Sequence, residues 1–247
     1  MSKPIQLLLM VWDRPEYTRM TLENLVRVTK RPFQLTIYDN GSEPPTAKYL
    51  KRWVEDNPTL VRKFTRNPTN QGLVPPTQEF WGEMEKEGHP WWGKIDNDIL
   101  HPEGWLSCLV EVLEKFPRVG VVSSCPVRDY GGTGIIKSPE LVVESGDLGY
   151  YPVPFAGGCG YPMRKEACSS GGPLSSGSGI FSWTVYQDHL NKLGWLTVLA
   201  YPLVLVKHLG TWGKQSLDTP EYREYDRKIW EMRHGKGSEC PYYEEEK

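Results

Sequence analysis

Trp91-Trp92-Gly93-Lys94-Ile95-Asp96-Asn97-Asp98 is the stretch on which the reading of this chain turns. A strand-like run ends in two carboxylates one residue apart. At a strand end such side chains can converge on a hard divalent cation. Mg²⁺ or Mn²⁺ takes oxygen ligands of this kind and keeps places for substrate phosphates. Asp-x-Asp alone is also an ordinary turn. The apolar run before it and His101-Pro102-Glu103-Gly104-Trp105-Leu106 after it favour the metal reading.

Outward from that strand, helix and strand patterns alternate. Ile5 to Trp12 is a continuous apolar run, as in a parallel strand buried on both faces. Asp13-Arg14-Pro15-Glu16 follows, with Pro15 suited to a first helical turn and Asp13 or its neighbour placed to cap it. Met20, Leu22, Leu25, Val26 and Val28 supply an approximate helical apolar face. Further strands are expected over 33–38, 60–64, 91–95 and 119–123, with helices over 44–56, 75–87 and 102–116. This order predicts an α/β fold, a mostly parallel central sheet with helices on both faces. Such sheets bind ligands outside the carboxyl ends of their strands. Asp39, the loop from Asn67 through Asn70 to Gly72, and Asp96 to Asp98 fall at that edge.

The pattern weakens over 125–151, which reads as a loop-rich insertion. Glycine turns and one or two helices follow over 154–194, then short strands over 196–200 and 203–206 before His208. With no internal repeat and no linker, one domain over 1–232 is expected. Its donor-binding half runs to about 124 and its acceptor-side half over 125–232, with a flexible tail over 233–247.

The 247 residues suffice for one substantial core, and a net charge of −2 excludes a strong overall pull toward nucleic acid or acidic membranes. Lys48, Lys51, Arg52, Arg62, Lys63 and Arg66 form a local basic cluster that reads first as solvated surface. Five cysteines in no paired spacing read as reduced thiols. The opening apolar run is too short to span a bilayer and lacks a small-residue cleavage site, so a cytoplasmic protein is expected. Ten tryptophans suit sugar stacking but equally fill cores.

Leu8-Met-Val-Trp-Asp-Arg-Pro-Glu-Tyr17 and Leu35-Thr-Ile-Tyr-Asp-Asn-Gly-Ser42 resemble the opening of family 2 glycosyltransferases of the GT-A type, whose sheet is Rossmann-like. Asn67-Pro-Thr-Asn-Gln-Gly72 is similar to the family's next loop, and Lys94-Ile-Asp-Asn-Asp98 to its metal-binding strand end. Phe155-Ala-Gly-Gly-Cys-Gly160 resembles its acceptor-side glycine segment, and Val206-Lys-His208 its late histidine. The likeness covers roughly 4–212.

The resemblance implies transfer of a sugar from a nucleotide diphosphate sugar, UDP-linked by preference, to an acceptor hydroxyl with inversion. It implies Mn²⁺ or Mg²⁺ held by Asp98, with Asp96 and His208 assisting. Trp12, Asp13, Arg14 and Tyr17 would line the nucleotide pocket beside Asn67, Asn70, Gly72, Asp96 and Asn97. Asp39 would accept a hydrogen bond from the N3–H of a uracil or thymine base. Where family members carry an acidic pair before the glycine matched by Gly194, this chain has Ser182-Trp183-Thr184. Asp188 is the nearest carboxylate and the expected base, with a helix N-cap as its structural alternative.

Two other functions compete. A sugar nucleotidyltransferase shares such a sheet but usually opens with a glycine-rich loop, and Trp12-Asp-Arg-Pro-Glu has no glycine. A catalytically degenerate binder of nucleotide sugars or glycans would explain the missing acid pair. The acceptor stays open among glycan, lipid-linked saccharide, small molecule, protein and modified DNA base, and no oligomeric state is assigned.

Overall fold

The computed structural model describes residues 3–126, 142–157, 160–174 and 180–209, the side chains of 180–182 excepted. The chain runs β1 (Ile5–Val11), α1 (Pro15–Val28), β2 (Phe33–Asp39), α2 (Pro44–Asp56), β3 (Val61–Arg66), α3 (Val74–Lys86), β4 (Trp91–Asp96) and β5 (Ile99–Leu100). It continues through α4 (Trp105–Lys115), β6 (Val119–Ser123), β7 (Cys125–Pro126), β8 (Val143–Ser145), β9 (Leu148–Pro152) and β10 (Tyr161–Arg164). The last described elements are α5 (Lys165–Gly171), α6 (Ile180–Lys192), β11 (Leu196–Tyr201) and β12 (Leu205–His208).

A nine-stranded sheet has the order β3-β2-β1-β4-β10-β6-β11-β9-β8. The expected parallel arrangement holds across β3-β2-β1-β4 and for β6 with β11. β10 runs antiparallel to β4, and β8 and β9 form an antiparallel hairpin whose second strand joins β11. That hairpin lies where a loop-rich insertion was expected, because alternation over only three to five residues is a weak sequence signal. A second sheet has the order β5-β12-β7.

β1 is buried at all seven positions, which explains its unbroken apolar run. Ile5, Leu7, Leu9 and Val11 face one core with Leu22 and Leu25 of α1, Leu50 of α2 and Leu109 of α4. Leu8 and Met10 face the other, with Phe80 and Met84 of α3, Cys168 of α5 and Leu190 of α6. Each such buried aliphatic side chain contributes about 1.5–3 kcal/mol of transfer free energy. The inner face of α1 differs from the expected stripe. Tyr17, Thr18, Thr21, Leu22, Asn24 and Leu25 are buried, while Val26 is 47% exposed. Polar residues hold inward positions because they bond the strand ends: Thr21 Oγ1 accepts from Ile99 N–H (3.1 Å) and Asn24 Oδ1 from His101 N–H (2.7 Å).

The chain falls into two units, Met1–Lys207 and His208–Lys247, and His208 and Leu209 alone represent the second among the described residues. The expected tail over 233–247 lies outside them, as does 127–141 of the expected insertion. No helix among the described residues is long and apolar enough to cross a membrane. Cys108, Cys125 and Cys168 are free thiols.

Gly41, in the turn after β2, has φ 81°, and a Cβ there would lie 2.6 Å from the Thr69 carbonyl carbon and 2.8 Å from the Asn70 nitrogen. The loop of residues 67–72 therefore rests directly on this glycine. Gly41→Ala is expected to lower the unfolding free energy by about 1–3 kcal/mol, from the left-handed backbone and the displaced loop together. Denaturant unfolding reads this, and an unchanged curve would contradict it.

Candidate functional site

The sheet reverses its winding at β1, with β2 on one side and β4 on the other. In register, Val11 pairs with Asp39 and Met10 with Asp96. Asp39 and Asp96 thus end the two strands that flank β1, about 10 Å apart at ordinary strand spacing. This is the crevice position at which open α/β sheets bind nucleotides.

Asp13 and Arg14 turn the chain out of β1. Both have positive φ, 52° and 58°, and neither is glycine. Consecutive left-handed residues cost about 1–3 kcal/mol each, so neighbouring groups must hold them. Asp13 N–H donates to Ser42 Oγ (2.9 Å), and Glu43 N–H donates to Asp13 Oδ1 (2.7 Å). Asn97 Nδ2 donates to the Asp13 carbonyl (3.4 Å) and to Thr18 Oγ1 (2.9 Å). Asp13 or its neighbour was expected to cap α1. The N-cap position is the neighbour, Arg14, with no side-chain cap bond, and Asp13 receives the N–H of Glu43, the N-cap residue of α2.

The turn aims Arg14 at the second carboxylate of the Asp-x-Asp. Arg14 Nη1 lies 2.8 Å from Asp98 Oδ2, with the two side chains only 10% and 9% exposed. The Arg14 guanidinium carbon also stands 5.5 Å from the ring centre of buried Tyr17. Trp12, at the end of β1, is half-buried. Asp96 is paired with Lys94, two residues earlier on the same strand face.

Asp39 is fully buried. Its Oδ1 accepts from Ser42 N–H (2.9 Å). Arg66 Nε lies 3.1 Å from Oδ2, yet that oxygen has no hydrogen bond of acceptable geometry. Asn40 organises the neighbouring loop. Its Nδ2 donates to Asn70 Oδ1 (2.8 Å) and the Gly72 carbonyl (3.0 Å), while its Oδ1 accepts from Asn67 Nδ2 (3.1 Å) and Gln71 N–H (3.0 Å). Asn67, Asn70 and Gly72 are thereby joined to the Asp39 turn.

Four members of the basic cluster are paired with acids: Arg62 and Lys63 with Glu79, Glu83 and Glu87, Arg66 with Asp39, and Arg52 with Asp56, while Lys48 and Lys51 are exposed.

On the far side of β4, Tyr161 of β10 stacks on Trp183 of α6, with centroids 4.2 Å apart and planes 13° apart. Trp183 Nε1 donates to the Ala156 carbonyl (3.1 Å), and Gln187 exchanges two bonds with Ala156, accepting from its N–H (2.7 Å) and donating to its carbonyl (3.0 Å). α6 thus fixes the segment leading to the glycines at 157–160. Asp188 is not brought to this face. Its side chain is 59% exposed and pairs with Lys192 Nζ (2.6 Å). It stands mid-helix, so it is not the N-cap of α6. His208 belongs to the second unit, and no position relative to Asp98 is assigned to it.

Sequence reading passed over Asn40, Ser42, Thr18, Lys94 and Gln187. The Asp-Asn-Gly-Ser sequence marks the first two as turn residues, but their partners lie about thirty positions away.

No group of three or more His, Cys, Asp or Glu side chains among the described residues is arranged around a common centre. The donor set nevertheless fits a hard divalent cation. Such ions are commonly held by one or two carboxylates plus substrate phosphates. Asp96 and Asp98 already attract positive charge, with the Lys94 ammonium and Arg14 guanidinium standing at their oxygens.

The architecture and this edge define a GT-A glycosyltransferase fold. The profile of glycosyl transferase family 2 matches residues 7–171, more than half of the chain, and the chain belongs to that family. Solved structures agree in fold. A mannosyltransferase, PcManGT from Pyrobaculum calidifontis in complex with GDP-Man and Mn²⁺, superposes with a TM-score of 0.65 at 16% identity, over 91% of this chain and 60% of that one. GalNAc-T7 with UDP, GalNAc and Mn²⁺ gives 0.64 at 12%, over 92% and 48%. S. aureus TarS 1–349 with UDP-GlcNAc gives 0.60 at 12%, over 92% and 65%. The chain therefore spans less than two thirds of each of these proteins. No curated protein matches it.

His101 follows β5 and is buried. It stacks on Trp105 at 3.8 Å, and neither ring nitrogen has a hydrogen-bond partner. A Cβ on Gly160 would lie 2.5 Å from its ring, so this imidazole backs the glycine segment. Burial pushes its pKa down to about 3. The unfolded chain, with a histidine pKa near 6.5, then binds the proton more readily between the two values, so this residue's contribution falls as the pH falls through that window. Wild type is expected to lose stability relative to His101→Phe between about pH 6.5 and 3. A constant difference in unfolding free energy across that range would contradict it.

Proposed function

We propose that this chain transfers a sugar from a nucleoside diphosphate sugar, UDP-linked by preference, to an acceptor hydroxyl. The observation that carries the reading is the convergence of Asp39 and Asp96 to Asp98 on the strand ends that flank β1. Family membership supports the reaction class. PcManGT, GalNAc-T7 and TarS, with nucleotide or nucleotide sugar named in their complexes, support the donor class.

Asp39 Oδ2, buried and without a well-formed hydrogen bond, suits the N3–H of a uracil ring. Asn40 and Asn70 hold the loop that closes this end of the crevice. At the other end Asp98 would hold Mn²⁺ or Mg²⁺, with Asp96 assisting. When bound, the metal supplies positive charge against the diphosphate leaving group. Arg14 and Lys94 add fixed positive charge to the same edge, and half-buried Trp183 offers an apolar surface on the acceptor side. Single-turnover transfer from a UDP-sugar panel with Mn²⁺ tests the reading. Asp98→Ala is expected to lower the rate by about 10²-fold or more. Full activity of that variant in excess EDTA would exclude the metal role.

Inversion is the finer part of the proposal. It needs a base to take the acceptor proton within hydrogen-bond reach. Asp188 is the carboxylate that α6 offers, and to act it must leave Lys192 and turn inward. Asp188→Asn keeps the size and polarity of the side chain. If Asp188 is the base, this change is expected to cost transfer about 10²-fold or more with donor affinity unchanged. Near-native turnover would remove Asp188, and the inverting assignment with it.

A further inference from the structure

A second concavity lies away from the crevice. It is a cleft of about 320 Å³, lined by Arg118 just before β6, Pro152 and Pro154 at the end of β9, Asn191 of α6, and Trp195 and Thr197 around the start of β11. It sits at the amino ends of β6 and β11, the edge opposite the one that carries Asp39 and Asp96. β11 is six residues long, so the two edges stand roughly 20 Å apart.

The cleft is preformed. Asn191 Nδ2 donates to the Pro154 carbonyl (2.9 Å), and its Oδ1 accepts from Thr197 N–H (3.2 Å). Val153 N–H donates to the Thr197 carbonyl (3.0 Å). These bonds fix the walls to each other. Trp195 Nε1 donates to Ser170 Oγ (2.7 Å), which sets the plane of the half-buried indole.

Two polar groups here are not used up by the fold. Arg118 is exposed and donates to the Gly194 carbonyl (3.3 Å), with no carboxylate partner among the described residues. Thr197 is 2% exposed, and its Oγ1 has no hydrogen-bond partner among them. A buried hydroxyl of this kind is completed by a bound water or by a ligand group.

We propose that the cleft is a second binding site, and that it takes a sugar unit bearing an anionic group, carboxylate or phosphate. The Arg118 guanidinium meets the anion, and its planar fork suits both kinds of oxygen. Thr197 exchanges a hydrogen bond with a ring hydroxyl. The C–H face of the sugar lies against the Trp195 indole, whose face carries the negative part of its quadrupole. Other ligand classes leave part of the cleft unused. An inorganic anion engages Arg118 and leaves the indole uncovered, and an apolar ligand leaves Arg118 and Thr197 unsatisfied. The volume is at the lower end for small-molecule sites, which suits a single ring rather than a whole nucleotide. The site is independent of the transfer reaction proposed above, because none of its residues lies at the crevice edge.

The indole N–H resonance of Trp195, followed by nuclear magnetic resonance in the isotope-labelled full chain, tests this. It is assigned as the signal lost in Trp195→Phe, or as the one moved in Ser170→Ala, which removes its acceptor. The probes are glucuronate, glucose-6-phosphate, glucose, acetate and inorganic phosphate, each titrated without metal. Glucuronate or glucose-6-phosphate is expected to shift the resonance saturably, and the tighter of the two names the anionic group. Glucose is expected to bind about tenfold more weakly, because it lacks the charge-assisted bond. Arg118→Gln is expected to bring the anionic sugars down to the affinity of glucose. Saturating UDP should leave the titration unchanged.

Absence of a saturable shift from both anionic sugars would overturn the proposal. So would an unchanged affinity in Arg118→Gln. Acetate or phosphate binding as tightly as the sugars would reduce the cleft to an anion site and overturn the saccharide assignment. Competition by UDP would put the sugars in the crevice, overturning the second site while leaving the proposed reaction untouched. Should Arg118→Gln fail to fold, wild type decides by its preference for anionic sugars over glucose, and equal affinities would overturn the assignment.

Discussion

Three strands end side by side at one sheet edge, and the polar backbone that leaves them is half-buried and must be bonded. That constraint organises this molecule. The turn at Asp13 and Arg14 meets it by drawing on the other two strand ends. Ser42 from beyond β2 accepts the Asp13 N–H, and Asn97 from beyond β4 donates to the Asp13 carbonyl. Asp13 in turn receives the N–H of Glu43, which fixes where α2 starts. Three loops distant in sequence are thereby tied at one point, and the site is assembled around the tie. Asn40 repeats the device one strand further out, with all of its side-chain bonds going to the loop 67–72.

The charges follow the same economy. Each aspartate at the edge has a basic neighbour drawn from another position: Arg66 for Asp39, Lys94 for Asp96, Arg14 for Asp98. The three bases place positive charge along the same edge as the aspartates.

The far side of β4 is built differently. Trp183, Tyr161, Tyr186 and Trp81 form a continuous aromatic group between α6, β10 and α3. Gln187 ties this group to the backbone at Ala156. The carboxylate of α6, Asp188, is turned to solvent and pairs with Lys192.

Much of the N-terminal half was legible in the sequence. The unbroken apolar run of β1 marks a strand buried on both faces. The alternation that follows fixes helix and strand positions closely, as with α2 over Pro44–Asp56. The residues at the carboxyl edge could be named because a parallel α/β sheet brings every such strand end to one side. What the sequence could not give was partnership. Asp13 accepts the N–H of Glu43 at the start of the next helix, Arg14 lies on Asp98, and Asp188 has a direction around α6 that spacing to a glycine does not define. The β8–β9 hairpin was equally hidden, since strands so short leave too few residues to show a period. Local pattern is set by which face of an element is buried, and that is written along the chain. Which side chain meets which depends on contacts between segments thirty to eighty positions apart, and only the folded sheet brings those together.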